Sequence, residues 1–379
     1  VQEVLKNKWV VLGLRIVLSA AMLAVLFWRI PDFEPSELIP DWEPASALWL
    51  AAAILLTVAS IVLSAVRWQQ VLRALDLPIR VRALLPIYFA AQFVCNVLPS
   101  TIGGDVLRVS RLSRINHSTE RDVASVVIER LTGWLVLPVM SLIAFAINRG
   151  LLPDSGAKNL AVAVNVIALL GLVLVLWLAS HQRVLGRFTG RDNWLRFLGS
   201  VHLGIDHLRR NPADAGKVVV AAFVYQATLI LSALCAARVI GIDEAGLTAM
   251  FAFIPVVLML QVLPIGISGL GIREASLVLF LEPLGVPHAQ SIALGLALYF
   301  LNLVASLLGA PAFALGGRRK GEKAFGGDEE DLDPMEEAEL AFEGVDGLTH
   351  LLEEAEHEHD DDSTPHADGE PDADAVQIR

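Results

Sequence analysis

"NVLPSTIGGDVLR", Asn96 to Arg108, interrupts an apolar stretch with a proline, two adjacent glycines, an aspartate and an arginine. "QVLPIGISGLGIRE", Gln261 to Glu274, repeats the interruption. With a shift of 165 residues, Val97, Leu98, Pro99, Ile102, Gly104 and Arg108 fall on Val262, Leu263, Pro264, Ile267, Gly269 and Arg273, six identities in twelve positions. Composition alone would give about one. The chain therefore carries an internal repeat, and the architecture is read outward from it.

Both breaks lie in greasy surroundings. Of 379 residues, 55% are hydrophobic and 18% charged, with a mean hydropathy of +0.58. Soluble domains carry about a quarter charged residues, so this composition points away from them and towards a multi-span membrane protein. Apolar segments run over 9–28, 47–66, 83–99, 123–147, 159–179, 218–240, 247–263 and 289–315. Roughly 20 helical residues cross the hydrocarbon core. Segments 83–99 and 247–263, with 17 residues each, are marginal, and both run straight into a break. The stretch Trp9 to Trp28 has no clear cleavage site before Pro31 and is expected to be a retained span.

Positive residues mark the cytoplasmic side. Arg67, Arg73, Arg80 and Arg82 precede the first break, and Arg108, Arg111, Arg114 and Arg121 follow it. A segment that starts and ends on one face has not crossed, so 83–107 is expected to be a re-entrant hairpin. Residues 247–283 should dip in from the other face, between "GIDEAG" and "EPLGVPH". With this topology 21 of the 29 bases lie inside and four outside. The expected fold is an all-α polytopic membrane protein, with about six transmembrane helices plus two re-entrant helical hairpins in an inverted-topology repeat. It would sit in the cell membrane as a multi-pass protein with both termini cytoplasmic.

Two regions differ in charge. Asp328 to Asp374 holds 21 of the 41 acids, and Arg379 is the only base after Lys323. Residues 1–327 carry 20 acids and 28 bases, a net of +8. Residues 1–317 form the membrane domain, and 318–379 an acidic tail whose composition cannot offset chain entropy. The sequence "WLRFLGSVHLGIDHLRR" in the 181–217 loop suits a helix lying along the headgroups. Cys95 and Cys235 both sit in apolar stretches, without a metal-ligand or disulfide spacing.

Proline stops a helix and glycine allows a turn or close approach. Broken backbone at membrane depth must be covered by protein or line a water-filled cavity, and inverted repeats in transporters place substrate there. Exposed N–H groups at broken ends attract anions, and arginine offers a planar fork to phosphate. Arg108 and Arg273 are thus the leading ligand candidates. Their plainer readings are positive-inside anchoring and an ion pair with Glu274. Asp105 either caps a helix or belongs to the site. Glu129 and Arg130 place adjacent charges in a span, where charge is costly unless paired or lining a cavity. Tyr299 is either packing or site, Asn302 a helix-packing polar residue, and Arg15 a residue that snorkels. "GISGLG" follows no strand, which removes a dinucleotide-loop reading. No nucleotide, hydrolase-elbow or zinc-protease motif occurs, so no cofactor is expected and transport would be downhill or ion-coupled. Asp105, Glu129 and Glu274 are the candidate proton carriers.

At "NVLPSTIGGDVLRVSRL", "VVIERLTGWLVLP" and "VLPIGISGLGIREASLVLFLEPLGVPHAQSIALGLALYF" the chain resembles the lysylphosphatidylglycerol synthase transmembrane family, also called flippase-like. That domain occurs alone or fused to an enzyme that attaches amino acids to phosphatidylglycerol. The resemblance implies translocation of lipid or lipid-linked substrate. It carries a substrate-binding role to Gly103, Gly104, Asp105, Arg108, Glu129, Arg130, Gly269, Gly271, Arg273 and Glu274. Members often show a tyrosine–arginine pair in the final span, whereas Tyr299 is followed here by Phe300. An acidic tail stands where the aminoacyl-transfer domain would be, so synthase activity is not implied.

The expected function is therefore that of a flippase, not an enzyme. The cargo would be an anionic or aminoacylated phospholipid or a lipid-linked headgroup. The alternatives are a membrane-embedded enzyme, or an accessory subunit, acting on lipid or glycolipid headgroups. Expected partners are that lipid and the membrane rather than nucleic acid. A cytoplasmic partner of the tail and a second copy of the chain are further candidates.

Overall fold

The computed structural model describes residues 17, 24, 44–97, 103–116, 119–151, 156–180, 212–262 and 269–316. Ten helices order these residues: α1 (Pro44–Ala74), α2 (Val81–Val97), α3 (Gly103–Asn116), α4 (Thr119–Ile147), α5 (Gly156–Ser180), α6 (Pro212–Ile240), α7 (Leu247–Leu260), α8 (Ile272–Leu281), α9 (His288–Leu307) and α10 (Ala310–Gly316). A 3₁₀ turn, Glu282–Leu284, joins α8 to α9. There is no strand among the described residues. The protein is an all-α polytopic membrane protein.

Five stretches are long and apolar enough to cross a bilayer: α1, α4, α5, α6, and α9 continued by α10. Of the expected sixth span, 9–28, only residues 17 and 24 are described, and the amphipathic stretch 194–210 and the acidic tail lie outside the described residues. The last apolar segment is not one rod. It turns at Leu308 and Gly309, where Gly309 N–H bonds to the Ser306 carbonyl at 2.8 Å. A Cβ on Gly309 would collide with the Phe89 carbonyl oxygen and stand 3.1 Å from Phe93 Cβ, so only glycine lets α10 lie this close to α2.

The two marginal segments behave differently from the spans. α2 has 17 residues and α3 has 14, so they rise about 26 and 21 Å against a core of about 30 Å. They pack on each other, and residues 98–102 between them lie outside the described residues. α7 has 14 residues and α8 only 10, about 21 and 15 Å, and they too pack together across an interruption. Each is a pair of helices shorter than the hydrocarbon core, at positions related by the sequence repeat.

Packing places both pairs against α4. Trp68, Leu72, Leu84, Val106, Val109 and Leu112 form one apolar cluster between the first pair, α1 and α4. Phe253 stacks on Phe280 at 5.3 Å and meets the edge of Phe145 at 5.5 Å, in the larger cluster holding the second pair. On α5, by contrast, Ile167, Leu170, Leu174 and Trp177 are exposed, as expected of a lipid-facing helix.

Candidate functional site

The first turn of α3 is built by glycines. A Cβ on Gly104 would collide with Cys95 Sγ and lie 2.6 Å from the Ala91 carbonyl oxygen, so glycine is what lets α3 approach α2. One turn later comes Arg108, buried at 5% exposure beside Asp105 at 7%. α4 supplies Glu129, buried at 1%, and Arg130, whose side chain is 43% exposed.

These side chains form a ladder of alternating charge. Glu129 Oε1 accepts from Arg67 Nη2 at 2.7 Å and from the Tyr88 hydroxyl at 3.2 Å, and its Oε2 accepts from Arg108 Nη2. Asp105 Oδ1 accepts from Arg108 Nη1 at 3.4 Å, and Oδ2 from Arg130 Nε. The order is Arg67, Glu129, Arg108, Asp105, Arg130, three cations to two anions. Buried charge away from water is tolerated only when paired in this way. Aromatic faces complete the enclosure. The Arg108 guanidinium lies 4.2 Å from the Trp68 ring centre and 4.6 Å from that of Tyr88, and Arg67 lies 4.6 Å from the Tyr225 ring. The Nε atoms of Arg67 and Arg108 are buried and donate to no group among the described residues.

A cavity of about 190 Å³ opens beside the ladder, lined by Arg67, Asp105, Arg108, Glu129 and Arg130 together with Gly104. A second, of about 320 Å³, reaches the other helix pair and is lined by Arg273, Tyr299, Asn302, Gln261 and Gln226. Gln92 lines both, and Arg67 in one wall stacks on Tyr225 in the other. The two cavities are neighbours across a thin partition.

The second glycine site solves the problem by another route. Gly269 and Gly271 take φ of +76° and +88°, which L side chains rarely adopt. Gly271 N–H donates to Glu274 Oε2 at 2.7 Å, closing the start of α8. Glu274 Oε1 accepts from Arg273 Nη2 at 2.7 Å and Nε at 3.1 Å, and Arg273 faces the Tyr299 ring at 5.5 Å. Gly295 makes room for that carboxylate, since a Cβ there would lie 2.9 Å from Oε1.

The ten sequence candidates thus divide. Asp105, Arg108, Glu129, Arg130 and Gly104 share the smaller cavity, and Arg273 lines the larger. Gly103 opens α3 without lining either, while Gly269, Gly271 and Glu274 shape and pair the Arg273 site from behind. All three candidate proton carriers are held in ion pairs with arginine. Tyr299, left open between packing and site, and Asn302, read as a helix-packing residue, both line the larger cavity. Arg15 lies outside the described residues.

Four contributors escape the sequence reading: Arg67, Tyr88, Gln92 and Tyr225. Arg67 counts there only among the bases that mark the cytoplasmic side, but it is 6% exposed and part of the ladder. Its signal was position, since it stands within a helix that continues to Ala74. Among the described residues, no group of three or more His, Cys, Asp or Glu could hold a metal ion.

The family model described as the lysylphosphatidylglycerol synthase TM region matches residues 10–309. No curated protein matches the chain.

Proposed function

The chain belongs to the lysylphosphatidylglycerol synthase transmembrane family, and from that premise we propose that it is a flippase for an anionic lipid or lipid-linked headgroup. One observation carries this reading: a buried ladder with excess positive charge lines a cavity that adjoins a second, arginine-bearing cavity. A headgroup can exchange its phosphate from one guanidinium site to the other while its acyl chains stay in lipid. The unused Nε donors of Arg67 and Arg108 suit an anion, and the surrounding low dielectric strengthens each contact. In this reading the two helix pairs enter from opposite faces, both termini are cytoplasmic, and the protein carries out no covalent chemistry.

The test is leaflet exchange in proteoliposomes with fluorescent phosphatidylglycerol, comparing the native protein with Arg108→Ala and Arg273→Ala. Both variants should lose at least about tenfold in rate, the loss of one charged contact or more. Unchanged exchange in both defeats the proposal. Headgroup modification without exchange would instead favour an enzyme or accessory subunit acting on lipid headgroups.

A further inference from the structure

The two cavities differ in chemistry. The smaller is cationic. The larger draws carboxamides from four parts of the fold: Gln92 and Asn96 of α2, Gln226 of α6, Gln261 just after α7, and Asn302 of α9. Tyr225 and Tyr299 add rings and hydroxyls. Its only charged wall residue among those described is Arg273, already bonded twice to Glu274.

Such a wall is costly within a membrane unless something polar meets it. Asn96 and Asn302 each spend an amide proton on the carbonyl four residues back, at 2.9 Å, which leaves the side-chain oxygens facing other partners. Gln226 Oε1 is buried and accepts no hydrogen bond from the described residues. A carboxamide both donates and accepts, and so does a hydroxyl. A row of carboxamides therefore matches a row of hydroxyls, with tyrosine faces against the C–H side of a ring. An alkylammonium has no counterpart here. No described carboxylate lines the larger cavity, and Asp105 and Glu129 in the smaller one are both bound by arginines.

We propose that the lipid headgroup taken by this site is a polyol or glycosyl phosphate, with its hydroxyls in the carboxamide cavity, and not an aminoacyl ester. The route between leaflets rests on the flippase reading; the ligand class rests on the cavity wall.

The experiment separates the two. The full chain in nanodiscs is offered equal amounts of phosphatidylinositol, phosphatidylmethanol and an aminoacylated phosphatidylglycerol, and retained lipid is measured by mass spectrometry. The first two share one phosphodiester charge and differ in hydroxyls. Phosphatidylinositol should be retained about tenfold over phosphatidylmethanol, and over the aminoacylated lipid. In Gln226→Leu/Asn302→Leu that preference should fall to about twofold or less, with thermal unfolding of the variant in nanodiscs as the check on folding. Equal retention of phosphatidylinositol and phosphatidylmethanol by the native protein, or preference for the aminoacylated lipid, overturns the inference. Leaflet exchange of the same lipids is the second arm. Exchange at one rate for phosphatidylinositol and phosphatidylmethanol overturns the ligand class and leaves the flippase. Hydroxyl-selective retention without Arg108-dependent exchange leaves the ligand class and removes the flippase.

Discussion

Arg67 and Glu129 meet at 2.7 Å between α1 and α4, although 62 residues separate them in the chain. Glu129 is shared with Arg108, so one carboxylate fixes three helices around the smaller cavity. Removing it leaves two guanidiniums buried without their common partner.

Glu129→Ala should therefore cost about 3–5 kcal/mol of stability, the penalty of an uncompensated buried charge. Arg67→Ala should cost less, because Glu129 keeps Arg108 as its partner, and the double variant less than the sum of the two, because Glu129→Ala alone strands the Arg67 charge. Denaturant unfolding in detergent checks this. Additive losses would show that the pair is not coupled.

Gly104→Ala should lower stability by about 1–3 kcal/mol through overpacking against Ala91 and Cys95. Adding Cys95→Ala should recover only part of it, because the Ala91 carbonyl cannot move aside as a side chain can. Thermal unfolding of the two variants decides the matter; full recovery would place the whole clash on sulfur.

Gly133 lies at the partition between the cavities. A Cβ there would stand 3.4 Å from Arg67 Nη1 and 3.9 Å from Gln226 Nε2, which is ordinary contact. Gly133→Ala should keep lipid exchange within about twofold, while the larger Gly133→Leu should reduce it about tenfold or more by displacing Arg67 and Gln226. The readout is exchange rate at matched protein density. Equal rates for leucine and alanine would mean that cargo does not pass Gly133.

Gly295→Ala would press a methyl carbon to 2.8 Å from Glu274 Cγ. The Arg273–Glu274 pair must shift, and exchange should fall by about tenfold while the Arg108 site keeps its affinity for anionic lipid. Lipid retention measured beside exchange separates the two effects.

The fold was legible where physics acts locally. Pro99 and Pro264 with Gly104 and Gly269 announced two interruptions, and the short helices on either side follow from them. Adjacent charges at Glu129 and Arg130 announced a cost that needed partners. What the sequence did not reveal was which partners. Arg67 and Tyr88 reach Glu129 from 62 and 41 residues away, through the packing of helices whose rotation no local pattern states. Nor did it distinguish the two glycine pairs. Gly104 serves close approach alone, whereas Gly269 combines close approach to Gln261 with a positive φ, yet they align in sequence.

Arg111 Nη1 and Nη2 hold the carbonyls of Ala312 and Phe313 at 2.9 and 3.0 Å, and Phe313 packs on Phe93 at 5.9 Å. The point where the polypeptide leaves its last apolar helix is thus riveted to α2 and α3. A tug or load applied beyond Gly316 would be delivered, through that rivet, to the same short helix that displays Arg108, one turn from Arg111.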